Sequence, residues 1–392
     1  MALFVGIDVS KEKFDACGIE EHGDKVFSLS CSMNREGFDK LIQQLPSRKK
    51  ASILLGMEST ASYHIALFSY LTAKGYRVVI INPLLIANFT KLSLRKTKTD
   101  KKDAFTIAQF LFLKKDALAT QESPHLTELK DVSRRREKLV DQMTSLKNDM
   151  KRILSVTFPE LETVTGVFTK STLRLLAQFP SALAIRKAGY DAVVDIVVAR
   201  SRGRKPAASV QTLMDAAATS VGVTSPAKEL VLKQEASLLL HLEEQTEETM
   251  KLMRCLSGET MKKDMRILTS MKGIGEKTAL NFLIEMGGDV KAFETDRKLI
   301  AAAGLDPTTY ESGKYKGKSK LSKRGNRHLR RVIWLMAVRV IISNQAFRTY
   351  YLKRRKEGLI YKKAVLATAH KLIRVMFSML AHERYFEPER RK

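Results

Sequence analysis

Four acidic residues are spaced so that their carboxylates can form one metal site. Asp8 ends a first apolar, β-rich run, and Glu58 ends a later one. Asp100 and Asp103 lie three residues apart at the start of a predicted helix, so they share one helical face. Clustered carboxylates repel one another unless a cation neutralises them, and their hard oxygens suit Mg²⁺ or Mn²⁺. A metal ion in such a site polarises a phosphoryl oxygen, activates the attacking oxygen and stabilises the leaving oxygen.

The first hundred residues predict the elements that would bring these acids together. Their order is three strands, helix, strand, helix, strand, helix, which predicts an α/β RNase H-like (RuvC-like) domain. First and fourth strands lie side by side in that fold, so Asp8 and Glu58 would meet near the last helix. Each acid alone is also explained as a solvated strand end or a helix cap, whereas the four together favour a metal site. The predicted elements are strands Leu3–Val9, Phe14–Ile19 and Lys25–Cys31, helix Asn34–Leu45, strand Ala51–Met57, helix Thr60–Lys74, strand Tyr76–Ile81 and a helix that begins near Asp100.

After Pro124 the alternation gives way to long helical patterns. Apolar residues spaced alternately by four and three resemble the a/d seam of a coiled coil, and a second long helix is predicted from Pro226 to about Cys255. A basic segment between them, Ser201–Pro206, predicts an exposed loop. We expect an antiparallel or oligomerising helical arm, with ordinary packed helices as the alternative. The seam consists of Leu139, Met143, Leu146, Met150 and Ile153.

A glycine-rich turn in the C-terminal part is typical of a helix-hairpin-helix. An apolar helix ends at Gly273-Ile-Gly275, and a new helix begins at once. The glycines permit a tight turn, and exposed amides at the start of the second helix can hold a backbone phosphate. Lys277 and Thr278 are positioned to add contacts to nucleic acid. The alternative is a packing hairpin that does not bind DNA.

Ser312 precedes the most basic stretch of the chain. Nine Lys or Arg residues and no acid occur between Gly313 and Arg331. Chemistry alone makes Ser312 an ordinary turn residue, because a serine without a base or a metal is a poor nucleophile. The candidate phosphate contacts in this stretch are Lys323, Arg324, Arg327, Arg330 and Arg331.

The composition favours a polyanionic partner. In 392 residues, 69 Lys and Arg oppose 42 Asp and Glu, a formal net charge of +27. Each phosphate that these cations neutralise releases a condensed counterion. Ribosomal and some membrane-surface proteins share this balance, so charge alone does not separate these classes. The chain shows no secretory signal, no uninterrupted apolar run of about 20 residues and no CxxC pair, so we expect a cytoplasmic protein with no membrane partner.

Motifs at both ends of the chain resemble the DEDD transposases of bacterial insertion sequences, the Piv- and MooV-like family numbered one hundred and ten. The helical middle is not diagnostic. The N-terminal motifs are Gly6-Ile-Asp-Val-Ser-Lys11, Met57-Glu-Ser-Thr60, Ile81-Asn-Pro83 and Lys98-Thr-Asp-Lys-Lys-Asp-Ala104. The C-terminal motifs are Gly273-Ile-Gly-Glu-Lys-Thr278, Ala303-Gly-Leu305 and Tyr310-Glu-Ser-Gly313.

The resemblance implies an enzyme that cuts and rejoins double-stranded DNA at element ends and target. It implies Asp8, Glu58, Asp100 and Asp103 as Mg²⁺ ligands and Ser312 as the nucleophile of a covalent phosphoserine intermediate. It also implies a bridge RNA as guide, and we expect a homo-oligomer, a dimer or a tetramer. The predicted parts are a metal-binding domain (1–122), a helical, coiled-coil region (123–260) and a C-terminal transposase domain with the helix-hairpin-helix and the serine (261–392).

Two other functions remain open at this point. One is a RuvC-like nuclease or resolvase that uses water as nucleophile, with Ser312 structural. The other is a nucleic-acid-binding protein without activity, against which the four intact acids argue.

Overall fold

The structure is a computed structural model. Its described parts form two compact units, Met1–Pro124 and His125–Lys392. At some positions the helix or strand is described but the side chain is not, namely 100–102, 124, 208, 308, 311–312, 315–316 and 320. The described residues are 2–45, 50–58, 63–81, 86, 89–90, 100–114, 124–197, 208–308, 311–312, 315–316 and 320–387.

The N-terminal unit contains the strands and helices that the sequence predicts. Its second helix begins at His64, later than the predicted Thr60, and 59–62 lie outside the described residues. The elements are β1 (Leu3–Val9), β2 (Lys13–Glu20), β3 (Lys25–Ser32), α1 (Arg35–Gln44), a 3-10 turn (Lys50–Ser52), β4 (Ile53–Glu58), α2 (His64–Ala73), β5 (Arg77–Ile81) and α3 (Asp100–Lys114).

These strands form a mixed five-stranded sheet in the order β3-β2-β1-β4-β5. Strand β2 pairs antiparallel with both β1 and β3, whereas β4 runs parallel to both β1 and β5. A parallel pair needs a crossover connection, and helix α1 lies in the connection between β3 and β4. The predicted mixed sheet flanked by helices is therefore confirmed.

Alternation along β1 gives the sheet two different apolar faces. Leu3, Val5 and Ile7 belong to a core that also contains buried residues of α1 and α2. Phe4 belongs to a second core, which contains the apolar residues of α3. Gly6 faces α3 as well, since a Cβ there would lie 2.1 Å from the carbonyl oxygen of Ala104. Helix α3 therefore crosses β1 at a distance that only glycine permits.

The C-terminal unit is mainly helical. It begins with a 34-residue helix, and its small strands all lie between Pro307 and Leu321. The helices are α4 (Pro124–Thr157), α5 (Leu161–Val164), α6 (Lys170–Gln178), α7 (Ala182–Val197), α8 (Ala208–Ala218), α9 (Pro226–Leu256), α10 (Glu259–Thr269), α11 (Glu276–Met286), a 3-10 turn (Val290–Ala292), α12 (Asp296–Ala302), α13 (Arg327–Ser343), α14 (Gln345–Lys356) and α15 (Tyr361–Ala381). The strands are β6 (Pro307–Thr308), β7 (Glu311–Ser312), β8 (Tyr315–Lys316) and β9 (Lys320–Leu321).

The two long helices α4 and α9 run antiparallel within one chain. The His125 ring lies 2.6 Å from the carbonyl oxygen of Leu256, so α4 begins where α9 ends. Further along, the hydroxyl of Thr246 donates to the sulfur of Met143 at 3.6 Å. The predicted seam thus faces α9 of the same chain, although a supercoiled arm stays a prediction. The predicted basic loop at 201–206 lies outside the described residues.

Two separate apolar cores lie along this helix pair. One contains Met150 and Leu239 together with α6 to α8, and the other contains Leu129 and Met250 together with α10 to α15. Both cores belong to the same compact unit. The predicted division into 1–122, 123–260 and 261–392 stays a prediction.

An ion pair with a buried carboxylate fixes α4 to the core that contains α10 to α15, which we call the C-terminal core. Arg134 donates from Nε and Nη2 to the two carboxylate oxygens of Glu285, each at 3.1 Å. Glu285 is only 4% exposed, and it also accepts a 2.7 Å hydrogen bond from Nδ2 of Asn326. Asn326 in turn accepts from the amides of His328 and Leu329 and so caps α13. One carboxylate therefore joins α4, α11 and the start of α13.

Arg134→Ala is expected to lower the free energy of unfolding by about 3 kcal/mol, because it leaves a buried carboxylate without its charged partner. Arg135→Ala is the matched control, because Arg135 is the next residue of α4 and its side chain is exposed. This substitution should change the free energy of unfolding by less than about 0.5 kcal/mol. Denaturant unfolding of the whole protein measures both. Equal stability of the two variants would contradict this role for the ion pair.

Among the described residues, α15 is the helix that is long and apolar enough to cross a membrane by length and composition. Half of its most apolar stretch is buried in the protein. Leu372, Ile373 and Met376 of this helix belong to the C-terminal core. We therefore assign α15 to the core of the unit.

Candidate active site

Asp8 and Glu58 lie at the carboxyl ends of two adjacent parallel strands. Ile7 of β1 is in register with Met57 of β4, so the two acids follow one residue later on each strand. Neighbouring strands are about 4.8 Å apart, and residues in register point to the same face. That face is the one covered by α3, because Phe4, four residues before Asp8, packs in the α3 core. Both acids are half-buried.

Helix α3 presents its first turn to the same face of the sheet. Ala104 approaches Gly6, while Ile107, Ala108 and Leu111 are buried in the core between α3 and the sheet. Asp103 precedes Ile107 by four residues and is half-buried, so it lies toward the sheet on the same helical stripe.

Asp100 is the first residue of α3, one turn before Asp103 and Ala104. Its side chain lies outside the described residues. Among the side chains that the structure describes, no three Asp, Glu, His or Cys residues are grouped closely enough to hold a metal. The described geometry therefore places two of the predicted acids side by side and a third on the helix that covers them.

Asp15 is a further acid on this face that the sequence analysis missed. It is paired directly opposite Asp8 in the antiparallel ladder between β1 and β2, and it is only 3% exposed. Its ion pair with Lys13 is long, at 3.7 Å. Burying a carboxylate is costly unless it is paired or binds a cation, so an Asp inside an otherwise apolar strand was the signal in the sequence.

Ser312 lies in one of two small two-stranded sheets, β6–β9 and β7–β8, which the chain forms between Pro307 and Leu321 and which we call the ribbon. Pro307 pairs with Leu321 at the base of this ribbon, and Ser312 pairs with Tyr315 further along it. The structure gives the backbone of Ser312 a strand conformation, whereas its side chain lies outside the described residues.

Close backbone packing holds the base of the ribbon. The amide of Ser322 donates to the carbonyl of Asp306, and that of Lys323 donates to Gly304. Gly304 has a φ of +63°, and a Cβ on Gly325 would lie 2.1 Å from the carbonyl oxygen of Ala302. The two segments that flank the ribbon, around Gly304 and Gly325, thus pack backbone against backbone, which explains their glycines.

Comparison with known proteins identifies the family. A family model described as a transposase matches residues 5–159, and a second, described as a transposase of the IS116/IS110/IS902 family, matches residues 265–352. Together the two matched segments cover more than half of the chain. The chain belongs to the IS110 family of insertion-sequence transposases. It is a DNA transposase, and the RNase H-like fold of its sheet agrees with the first of these models.

Relatives of this transposase align over nearly its whole length. The uncharacterized protein of insertion element IS110 from Streptomyces coelicolor is 28% identical over 99% of this chain and 96% of the relative. That of insertion element IS116 from Streptomyces clavuligerus is 26% identical over 98% and 96%. A pilin gene-inverting protein from Moraxella bovis is 21% identical over 98% and 97%.

The predicted hairpin of the transposase is a helix, a tight turn and a second helix. Helices α10 and α11 are joined through Gly273, whose φ is +108° and whose Cβ would lie 2.9 Å from Cα of Val340. Gly275 is the N-cap of α11, and nothing lies within 4 Å of a Cβ built on it. The turn is therefore closed on the side of α13 and open at the start of α11.

Two predicted contact residues of the hairpin have partners in the chain. Lys277 lies 3.6 Å from Glu247 on α9, and the hydroxyl of Thr278 donates to the carbonyl of Gly275. Both the lysine and the threonine hydroxyl are at the surface. Surface ion pairs contribute little to stability, so Lys277 can exchange this partner for a phosphate.

The five basic residues predicted to contact phosphate differ in their surroundings. Arg331 pairs with Glu137 at 2.7 Å and with Asp141, and these carboxylates raise the pKa of its guanidinium above the usual range. Arg330 donates to the carbonyl of Ala303 at 2.9 Å. Both arginines are thus engaged within the protein. The exposed members are Lys323, Arg324 and Arg327.

Proposed function

We propose that this transposase cuts and rejoins DNA with Ser312 as nucleophile and with divalent metal ions held by Asp8, Glu58, Asp100 and Asp103. The observation that supports the metal site is the register of β1 and β4, which sets Asp8 and Glu58 side by side under α3. Hard, half-buried carboxylate oxygens are the ligands that Mg²⁺ and Mn²⁺ prefer. Asp15, opposite Asp8, adds negative charge at the same place.

A bound Mg²⁺ would polarise the phosphoryl oxygens and lower the barrier to attack by an oxygen nucleophile. In the proposed cleavage step, the Ser312 hydroxyl oxygen forms a bond to phosphorus as one P–O bond of the DNA backbone breaks. The serine loses its proton, and the released DNA oxygen takes one up to become a hydroxyl. One phosphodiester replaces another, so the reverse reaction rejoins DNA without a high-energy cofactor.

Nucleic acid would be held by the C-terminal unit. The open start of α11 at Gly275 and the nearby Lys277 suit a backbone phosphate. Lys323, Arg324 and Arg327 precede or begin α13 at the base of the ribbon that carries Ser312, and all three are exposed. Contacts of this kind position a duplex but carry no sequence information.

Sequence choice would come from a bridge RNA that pairs with the element ends and the target. The net charge of +27 suits an assembly that neutralises one RNA and two DNA duplexes. We propose that the active form is a homo-oligomer, a dimer or a tetramer, in the cytoplasm.

Sequencing the RNA and DNA retained by the purified protein tests this proposal. We expect one RNA, transcribed from the element itself, with segments complementary to donor and target. Adding that RNA and the matching DNA to the protein should give cleavage at the element boundary with Mg²⁺ and none with a chelator. A retained RNA population without a dominant species, and equal cleavage in its absence, would contradict guidance by RNA.

A further inference from the structure

A cavity opens in the C-terminal unit between α13, α15 and the base of the ribbon. Its volume is about 360 Å³. Leu305 and Leu321 line the side next to the ribbon, and Trp334 and Leu366 line the side formed by the helices. Ligand pockets in proteins begin at about 300 Å³, so this cavity accepts one small molecule.

Trp334 gives this cavity an aromatic wall. The indole packs edge-to-face against Tyr361, with ring centroids 6.4 Å apart and an angle of 82°. Tyr351 packs in the same way against Tyr361, at 6.5 Å. Trp334 is partly buried against the C-terminal core, so its ring is held in place. A fixed aromatic ring is the platform on which nucleobases stack, a contact that contributes about 1–3 kcal/mol per base.

The charged residues around the cavity are cationic. Arg331 and Arg330 line it but are already engaged, the first with Glu137 and Asp141 and the second with a backbone carbonyl. Arg327 and Lys362 line it too, and both are exposed.

Arg327 has the neighbouring His328 ring as its hydrogen-bond partner, at 3.3 Å. Neither Arg327 nor Lys362 has a carboxylate within ion-pair distance in the described part of the chain. Among the residues that the structure describes, none of those lining the cavity is acidic. A ligand with a flat apolar part and an anionic part would match both features of the cavity.

We propose that this cavity binds one unpaired nucleotide of the DNA strand that the transposase cuts. The base would stack against the Trp334 wall, while its phosphate would bind Arg327 and Lys362. Leu321 of the lining pairs with Pro307, five residues before Ser312. At about 3.4 Å per residue and about 5 Å between paired strands, Leu321 lies within about 22 Å of Ser312. Only the choice of DNA over other nucleic acids depends on the proposed cutting function.

The single tryptophan of the chain allows a direct test without cleavage. Trp334 is the one Trp in 392 residues, so its fluorescence reports on this cavity alone. The probe is a single-stranded DNA tetranucleotide, and its matched control is the same backbone with abasic sites. We expect the tetranucleotide to quench Trp334 and the abasic control to bind at least about fivefold more weakly, since one stacked base contributes about 1 kcal/mol or more.

Lys362→Ala and Arg327→Ala should each weaken quenching about three- to tenfold, and neither should unfold the protein because both side chains are exposed. The control Lys251→Ala removes an exposed lysine from α9 and should leave the titration unchanged. Ser312→Ala protein should still be quenched, so failure of the serine mechanism and failure of this proposal are distinguishable.

Equal quenching by the ordinary and abasic tetranucleotides would overturn the base pocket, because phosphate binding alone would then explain the signal. No quenching at all would overturn it as well. Tighter binding of the corresponding RNA tetranucleotide would overturn the assignment to DNA.

Discussion

Asp8→Asn and Glu58→Gln are expected to abolish Mg²⁺-dependent cleavage, by about a thousandfold or more. A metal ion contributes several kcal/mol to the transition state of phosphoryl transfer, and each 1.4 kcal/mol is about tenfold in rate. The acids lie side by side on one face of the sheet, so loss of either charge should disturb the same site. The measurement is the rate of strand cleavage with the RNA and DNA that the protein retains.

Three controls separate a catalytic effect from a general one. Asp24→Asn makes the same chemical change in the exposed turn between β2 and β3 and should cut at the normal rate. Asp8→Asn protein should keep its affinity for nucleic acid, because the basic residues proposed to bind phosphate belong to the C-terminal unit. Mn²⁺ binding, followed by its paramagnetic resonance signal, should weaken in Asp8→Asn but not in Asp24→Asn. Full cleavage by Asp8→Asn or Glu58→Gln would contradict the proposed metal site.

The sequence was sufficient to predict the sheet, because its signals are local. The apolar, β-rich run Leu3–Val9 and the apolar run before Glu58 predict strands whatever surrounds them. The helix beginning near Asp100 was predicted from local spacing too, and the structure begins α3 at that residue. The family resemblance then predicted a function for this order of elements, which composition alone does not do.

Features that depend on pairing across the fold were not predicted. Asp15 stands out in the sequence only as an acid inside an apolar strand, and its position opposite Asp8 appears only when β1 and β2 are in register. Arg331 resembles a phosphate contact in the sequence, yet it faces two carboxylates on α4, some 190 residues away along the chain. Such long-range contacts follow from packing, which one sequence does not reveal.

The seam on α4 shows the same limit. Its spacing predicts a helix with one apolar side, and that helix is confirmed. Spacing does not distinguish a partner in the same chain from one in a second copy. The contact between Met143 and Thr246 assigns this side of α4 to α9.

A covalent protein–DNA adduct at Ser312 is the second large effect that we expect. Wild-type protein with its RNA, DNA and Mg²⁺ should give a species that keeps DNA attached on a denaturing gel. Digestion with nuclease and protease should leave a nucleotide on the peptide that contains Ser312. Ser312→Ala should lose both the adduct and cleavage, since the oxygen that attacks phosphorus is missing. Ser237→Ala, an exposed serine on α9, should retain both.

The adduct also depends on the acids if Ser312 is the nucleophile of the metal-dependent step. Asp8→Asn should therefore give no adduct, although it keeps Ser312. A RuvC-like enzyme that uses water gives the opposite pattern, because Ser312→Ala would still cut DNA in Mg²⁺ and no gel would show attached DNA. Cleavage without any adduct in wild-type protein would contradict the serine mechanism but would not contradict the proposed metal site. Adduct formation that persists in Asp8→Asn would instead separate serine attack from the proposed metal ligands.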